Sequence, residues 1–186
     1  AKLQGIPYVH TYHTLYPDYV HYIWEANLTR ELAKRLSGDF CSRCDAIVAP
    51  STKIESALLH WGTEAPIEVI ATGVRAERFA DVSPEQTAAF RRAHGIAAHE
   101  RMLLFVGRLG LEKNVDALIA TTALLSDLPV KLVLVGDGPH RTALEAAAED
   151  FGISDRVILT GYLPKDDVTS ALAAADVFTF ASTSET

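Results

Sequence analysis

The sequence has few of the features that mark a disulfide scaffold, a membrane span or a nucleic-acid partner. Its 186 residues include only two cysteines, too few for a small fold held by several disulfides. No segment approaches the roughly 18 uninterrupted apolar residues of a spanning helix, so we expect a soluble chain. Its 17 basic residues are outnumbered by 24 acidic ones. No basic stripe is present to neutralise phosphates, which argues against a nucleic-acid partner.

Two nucleotide-binding motifs are also missing. No G-x-x-x-x-G-K-[ST] phosphate loop occurs, which argues against an ATPase or kinase of that class. Gly136 and Gly138 begin a dinucleotide fingerprint, but Arg141 stands at the third glycine position, so an NAD site is not supported. The turn at Gly136 and Gly138 therefore keeps two interpretations, a tight strand-to-helix turn and a ligand contact.

The two cysteines, Cys41 and Cys44, have the spacing of a redox pair or of half a zinc site. Zinc would need two more ligands, and no second such pair or paired histidine motif supplies them. The pair also falls at a predicted helix end before a strand, whereas a thioredoxin-like site follows a strand. We expect two reduced, structural thiols and no metal site.

Apolar segments typical of buried parallel strands alternate with segments whose apolar residues recur every three or four positions. The predicted strands are Ile6–Thr11, Ala46–Pro50, Ile67–Thr72, Met102–Gly107, Val130–Gly136, Val157–Gly161 and Val177–Ala181. The predicted helices are Ile23–Leu36, Lys53–Trp61, Pro84–Ala93, Asn114–Leu125, Arg141–Phe151 and Lys165–Ala174. This alternation predicts an α/β fold with doubly wound parallel sheets. We expect residues 1–66 to close one such unit and residues 67–186 to form a second.

Ligands of open parallel sheets bind at the carboxyl ends of the strands. The most informative of these ends carries Gly107, Arg108 and Lys113. A glycine permits close approach of the backbone, and two cations beside a helix N-terminus suit a diphosphate. The alternative interpretation is that both cations are simply solvated.

The segment from His10 to Tyr22 contains three histidines and four tyrosines. His13 follows a predicted strand end, where it could hydrogen-bond a substrate hydroxyl. We interpret His10 and His21 as packed, partly buried side chains. The tyrosines suit either packing or contact with a sugar or lipid headgroup.

Several short motifs of this sequence together resemble those of one known family. They are Gly107-Arg108-x4-Lys113-Asn114, Val135-Gly136-Asp137-Gly138-Pro139, Gly161-Tyr162, Thr72-Gly73-Val74 with Phe79, and Ser184-Glu185. The chain resembles the middle of a family 4 retaining glycosyltransferase of the GT-B fold, in which two Rossmann-like domains face each other across a cleft. The segment from His10 to Tyr22 is similar to that of bacterial diacylglycerol glucosyltransferases.

The resemblance implies a role for each matching residue. Arg108 and Lys113 would bind the diphosphate of a nucleotide sugar, with Gly107 allowing close approach of the backbone. The resemblance places His13 and Glu185 at the donor sugar. Four further residues are expected along the donor site, with the last two beside the base: Gly136, Gly138, Tyr162 and Leu163.

The resemblance also implies an activity. The enzyme would move a hexose, expected to be glucose, from a UDP-sugar to an acceptor hydroxyl, with diacylglycerol as one acceptor, and it would need no metal or other cofactor. It would be cytoplasmic, with a peripheral contact at the inner membrane face through an absent amino-terminal region. A second family glutamate and a glycine-rich loop are missing, so we expect an inactive fragment. Another lipid or soluble glycan acceptor, and a non-catalytic nucleotide-binding module, remain alternatives.

Overall fold

Two separate parallel sheets, each with its own helices, organise the chain. The computed structural model describes residues 4–19, 27–79 and 81–182. The contacts divide the chain into two units, the first reaching Val74 and the second beginning at Arg75.

The first unit contains a three-stranded parallel sheet in the order β1-β2-β3. Its strands are β1 (Val9–Thr11), β2 (Ala46–Ala49) and β3 (Ile67–Val69), and its helices are α1 (Tyr16–Tyr19), α2 (Asn27–Ser42) and α3 (Thr52–His60). The core packs β2 against α2 and α3 and includes Ile47 of β2, Cys41 of α2 and Ile54 of α3. All three of these side chains are fully buried.

The second unit contains a four-stranded parallel sheet in the order β6-β5-β4-β7. Its strands are β4 (Arg101–Val106), β5 (Val130–Val135), β6 (Val157–Gly161) and β7 (Val177–Phe178), and its helices are α4 (Pro84–Ala93), α5 (Val115–Leu124), α6 (Arg141–Asp150) and α7 (Lys165–Ala174). Short 3₁₀ turns lie at Ala76–Phe79, Leu111–Lys113 and Ser154–Arg156. The expected α/β class with parallel strands and intervening helices is present in both units.

The central strands of the second unit are buried on both faces. Phe105, Leu132 and Leu134 pack in one cluster with residues of α5 and α6. Leu104 and Val133, which point the other way, pack in a second cluster with residues of α4 and α7. Alternate residues of each strand face opposite apolar layers, so the residues on both faces of the strand must be apolar. The strands are therefore continuous hydrophobic segments.

The contacts divide the two units between Val74 and Arg75, eight positions after the predicted boundary between residues 66 and 67. β3 begins at Ile67 and pairs with β2, so it belongs to the sheet of the first unit. The strand also ends at Val69, and the exposed residues from Ile70 to Val74 lead to the second unit. An apolar segment does not reveal which of two sheets it joins, because the pairing is a long-range choice.

Most predicted element ends lie within a few residues of the observed ones. Helices α4 and α7 have the predicted bounds, and Ser83 caps α4 in a capping box with Gln86. The prediction for α2 ended at Leu36, but the helix continues to Ser42; its proposed start at residues 23–26 lies outside the described residues. The last strand was predicted to reach Ala181 but ends at Phe178, since only two of its residues pair with β4.

One carboxylate ties β7 to the amino end of β4. Asp176 accepts hydrogen bonds from the Met102 amide at 2.8 Å, from Arg101 at 2.7 Å and from Arg91 at 3.3 Å. These bonds, led by that from Met102 and followed by those from the two arginines, outweigh desolvation and hold the pKa of Asp176 below its usual value. The folded state therefore favours the ionised carboxylate.

We expect the stabilisation by Asp176 to depend on pH. A folded pKa below the unfolded one gives stability that is complete above the ordinary value of 3.8 and is lost as the pH falls through the folded value. Asp176→Asn should therefore lower the melting temperature at neutral pH, and the difference from the parent should close in acid. Thermal melts of both proteins from neutral pH to below the ordinary pKa test this. A difference that is constant with pH would contradict it.

Candidate functional site

The candidate site lies at the carboxyl edge of the second sheet, where the strand order reverses. The chain proceeds from β4 outward to β5 and β6, and then returns to place β7 on the other side of β4. In open parallel sheets the loops at such a reversal diverge and leave a crevice for a ligand. The residues that follow β4 and β7 border this position.

The loop after β4 carries the two predicted cations. Gly107 and Arg108 follow the strand, and Lys113 ends the 3₁₀ turn Leu111–Lys113. Asn114 then adopts a left-handed conformation, with φ of 51°, before α5 begins at Val115. Arg108 is exposed and Lys113 is half-buried. The loop thus presents two positive side chains within six residues, beside the amino end of a ten-residue helix.

Backbone hydrogen bonds join this loop to the loop after β5. The Leu109 amide donates to the Asp137 carbonyl at 3.0 Å, and the His140 amide donates to the Leu109 carbonyl at 3.0 Å. The Leu109 side chain is fully buried, so it anchors the pair of loops to the core. The position of Arg108, one residue earlier, therefore depends on both loops.

The glycines of the second loop are explained by this close approach. A Cβ atom at Gly136 would collide with the Gly107 carbonyl, and one at Gly138 would collide with the Leu109 carbonyl. Gly136 also has φ of 127°, which disfavours any other residue. The structure thus supplies a reason for the tight-turn interpretation of both glycines, and a ligand contact stays a prediction.

A side-chain bond adds a second link between the two loops. His140 Nε2 lies 2.8 Å from Asp116 Oδ2, and because a carboxylate only accepts, Nε2 is the donor. Asp116 lies in the first turn of α5. His140 therefore holds the segment from Leu109 to Asp116 at both ends, by its amide and by its ring.

The segment after β7 packs on the same 3₁₀ turn. Ser182 Oγ donates to the Glu112 carbonyl at 3.2 Å. The Lys113 Nζ atom lies 5.9 Å from the centre of the Phe180 ring. The Glu112 side chain is buried beneath Gly110. The segments that follow β4 and β7 thus meet around the turn that carries Lys113.

The remaining predicted donor-site residues of the second unit lie elsewhere along the edge. Tyr162 and Leu163 follow β6, two strands from β4. Tyr162 is 80% exposed, whereas Leu163 packs against the core cluster that contains Phe90. A contact of Leu163 with a base would therefore use its main chain. Glu185 lies outside the described residues.

His13 belongs to the first unit, just after β1. Its Nδ1 atom lies 3.2 Å from the Thr11 carbonyl oxygen; a carbonyl only accepts, so Nδ1 is the donor, and in the neutral ring Nε2 carries the lone pair. The side chain is exposed. In its neutral form His13 thus offers a hydrogen-bond acceptor beyond the strand end.

Two side chains near His13 in sequence, His10 and Tyr12, pack against other residues of the first unit. Burial, followed by the charge of His13, lowers the pKa of His10, whose ring meets Phe40 edge-on at 5.0 Å. Tyr12 is buried and donates to Ser37 Oγ at 3.0 Å, and burial raises its pKa. His10 and Tyr12 therefore have structural roles in this unit; His21 lies outside the described residues.

Both cysteines are buried and reduced. Burial, with a smaller contribution from Cys44, raises the pKa of the Cys41 thiol to about 11, so it is protonated at neutral pH and a poor nucleophile. This environment agrees with a structural role. Within the described part of the chain, no group of three or more His, Cys, Asp or Glu side chains could hold a metal ion.

Comparison with known proteins agrees with the motifs and the fold. The model described as Glycosyl transferases group 1 matches residues 86–186, which is more than half of the chain. The chain belongs to this glycosyl transferase family. A second model, Glycosyltransferase Family 4, matches residues 1–78. The expected membership of a glycosyltransferase family is confirmed.

Relatives of this glycosyl transferase chain include two lipid enzymes. An alpha-monoglucosyldiacylglycerol synthase of Streptococcus pneumoniae is 37% identical over 191 residues, which is 100% of this chain and 43% of that protein. The enzyme of the same name from Acholeplasma laidlawii is 27% identical, over 100% of this chain and 49% of that protein. The chain thus spans less than half the length of these relatives.

Solved structures confirm the GT-B type of fold. HepE of Anabaena, crystallised in complex with UDP and glucose, has a TM-score of 0.83 at 22% identity, and the match covers 98% of this chain and 48% of the HepE chain. Sucrose-phosphate synthase of Thermosynechococcus elongatus has a TM-score of 0.78 at 23% identity, and the match covers 99% of this chain and 47% of the synthase chain.

Sequence reasoning missed Asp116, His140 and Phe180. His140 directly follows the Gly-Asp-Gly-Pro turn, and that proximity is the only local signal. Its partner Asp116 is 24 residues away, and Phe180 is far from Lys113 in sequence. These pairs form because parallel strands bring their carboxyl ends to one edge.

We expect His140 to stabilise the loop that carries the cations. His140→Ala removes the bond to Asp116 but keeps the main-chain amide, so it should lower the free energy of unfolding by about 1 kcal/mol. It should also speed hydrogen exchange at the Leu109 amide, whereas His140→Gln, which keeps a side-chain donor, should restore much of the protection. His99→Ala, at an exposed histidine of the same unit, is the control. Equal exchange in His140→Ala and the parent would refute this role.

Proposed function

We propose that this chain contains the donor-binding half-site of a retaining glycosyltransferase that moves glucose from UDP-glucose to the hydroxyl of diacylglycerol. The observation that carries the proposal is the pair Arg108 and Lys113 on a braced loop at the strand-order reversal. The chain spans less than half of its lipid-enzyme relatives. The activity is therefore proposed for a longer protein that contains it.

The loop suits a diphosphate in charge and in shape. Arg108 offers a planar fork of donors that can bind two phosphate oxygens, and Lys113 adds a compact point charge. The amino end of α5 follows within two residues and favours an anion. Gly107, directly after β4, leaves the backbone approachable. These features support a nucleoside diphosphate more than an uncharged ligand.

The same cations would assist the chemical step. In glycosyl transfer the bond between the sugar C1 atom and the phosphate oxygen breaks, and negative charge grows on the departing diphosphate. The acceptor oxygen bonds to C1 on the same face, and its proton passes to the departing phosphate, the base that the reaction itself creates. Arg108 and Lys113 would stabilise that charge more strongly in the transition state than in the ground state, which accelerates the reaction. We propose that they serve without a metal or other cofactor.

Other residues would orient the donor. In its neutral form the exposed His13 has an acceptor at Nε2, because Nδ1 donates to Thr11, and such an acceptor suits a sugar hydroxyl. Tyr162 and Leu163 are proposed beside the base, with Leu163 using its main chain because its side chain packs in the core. Gly136 and Gly138 would shape the donor site by allowing the loops to pack. Glu185, proposed at the donor sugar, rests on the family motif alone.

The acceptor is proposed from the relatives. Two proteins that match the whole chain are named as alpha-monoglucosyldiacylglycerol synthases, and a membrane lipid acceptor suits a peripheral enzyme at the cytoplasmic face. Among the described residues, no helix is both long and apolar enough to span a bilayer.

Donor binding can be tested by calorimetric titration of the chain with UDP, UDP-glucose, GDP and NAD. We expect saturable binding of the uridine ligands, weakened roughly 10- to 100-fold by Arg108→Ala through loss of charged hydrogen bonds. Arg101→Ala is a matched control, because Arg101 is an exposed arginine at the opposite end of the same strand. Binding of NAD alone, or equal losses in both variants, would refute the proposed donor site.

The acceptor can be tested by product analysis of the longer natural protein that contains this chain. With UDP-glucose as donor, we expect glucosylation of diacylglycerol in mixed micelles, with the α configuration of the donor kept in the product by NMR. Soluble glycans and other lipids serve as competing acceptors. Glucosylation of soluble acceptors only would exclude the lipid assignment, and a β-linked product would exclude retention.

A further inference from the structure

We infer that Phe180 is a positioning residue that holds the ammonium group of Lys113 at the carboxyl edge of the second sheet. The contact between the Phe180 ring and the Lys113 ammonium group does not depend on the proposed function. Its consequence for donor binding rests on the function proposed above. Neither the sequence motifs nor the comparisons assign a role to Phe180.

The Phe180 ring is held on a rigid support. It stacks on the fully buried Phe105 ring, with centres 5.7 Å apart and planes at 18°. It also stacks on Phe178, with centres 6.0 Å apart and planes at 16°. Phe105 belongs to β4, one of the two central strands, so the Phe180 ring rests on the buried core of the unit.

The backbone on both sides of Phe180 is also tied down. The Thr179 amide donates to the Leu104 carbonyl at 2.7 Å, and the Thr179 hydroxyl donates to the same carbonyl at 3.0 Å. On the other side, Ser182 Oγ bonds to the Glu112 carbonyl, in the turn that carries Lys113. A hydrogen bond therefore also joins the segment that carries the ring to the turn that carries the lysine.

Burial alone does not explain a phenylalanine at this position. The side chain is 46% exposed, so much of its apolar surface gains nothing from the core. The Lys113 Nζ atom lies 5.9 Å from the ring centre, within the range at which the negative face of an aromatic ring attracts a cation. The exposed ring thus faces a charge.

Holding Lys113 matters because lysine is flexible. Its four-carbon stem loses conformational entropy when a ligand immobilises the ammonium group. A ring that already restricts the side chain reduces that loss on binding. Phe180 would therefore increase affinity for a diphosphate without touching it.

The geometry can be tested without any ligand. In lysine-labelled protein, the ring current of Phe180 should shift the ε-methylene signal of Lys113, which Lys113→Arg identifies by its disappearance. Phe180→Leu should remove the shift, and Phe180→Tyr should keep it. Phe178→Leu is the matched control, because Phe178 stacks on Phe180 whereas the ammonium lies over Phe180. No shift in the parent, or a shift that survives in Phe180→Leu, would overturn the inference.

The consequence is tested by UDP affinity in a double-mutant cycle. Phe180→Leu should weaken UDP binding about two- to fivefold, Phe180→Tyr should bind like the parent, and Phe180→Leu should have no further effect in a Lys113→Met background. An equal loss in that background would mean that Phe180 acts through general packing, which refutes positioning. A parent that shows the ring-current shift but does not bind UDP would refute the proposed function and leave the geometry of Phe180 standing.

Discussion

Burial of β4 and β5 on both faces is the constraint on which the second unit depends. Their alternate side chains enter two separate apolar clusters, so helices must cover both sides of the sheet. Parallel strands covered in this way end together at one edge, and the connecting loops are the places free to carry polar groups. The chemistry of the candidate site follows from that division.

The loops at this edge are ordered by one another. The Leu109 side chain is buried in the core, and its amide and its carbonyl both form hydrogen bonds with the neighbouring loop. Gly136 and Gly138 allow this contact because a side chain at either would strike the facing carbonyl. A held backbone would favour the diphosphate binding proposed for Arg108, since ordering a flexible loop costs affinity. The glycine-rich turn therefore helps to fix the backbone of the adjacent loop, next to Arg108.

Local patterns predicted much of the architecture. The helices α4 and α7 could be read to the residue, because each has an apolar face and a clear start. The end of α2 could not be predicted, since its last turn contains Cys41, whose burial in the core outweighs weak local preference. The pairing of β3 with the first sheet could not be predicted for a similar reason. Its apolar residues are compatible with either sheet, and only its pairing with β2 assigns it to the sheet of the first unit.

The amino-acid sequence by itself determined the α/β class, the two cations after β4 and the glycine turn after β5, because periodicity and short motifs are local properties. Only the tertiary structure decided which groups brace those cations. His140 meets Asp116, and Phe180 lies beneath Lys113, because the sheet order places the ends of β5, β4 and β7 side by side. Strand order is a long-range outcome of packing, and no local pattern along the chain encodes it.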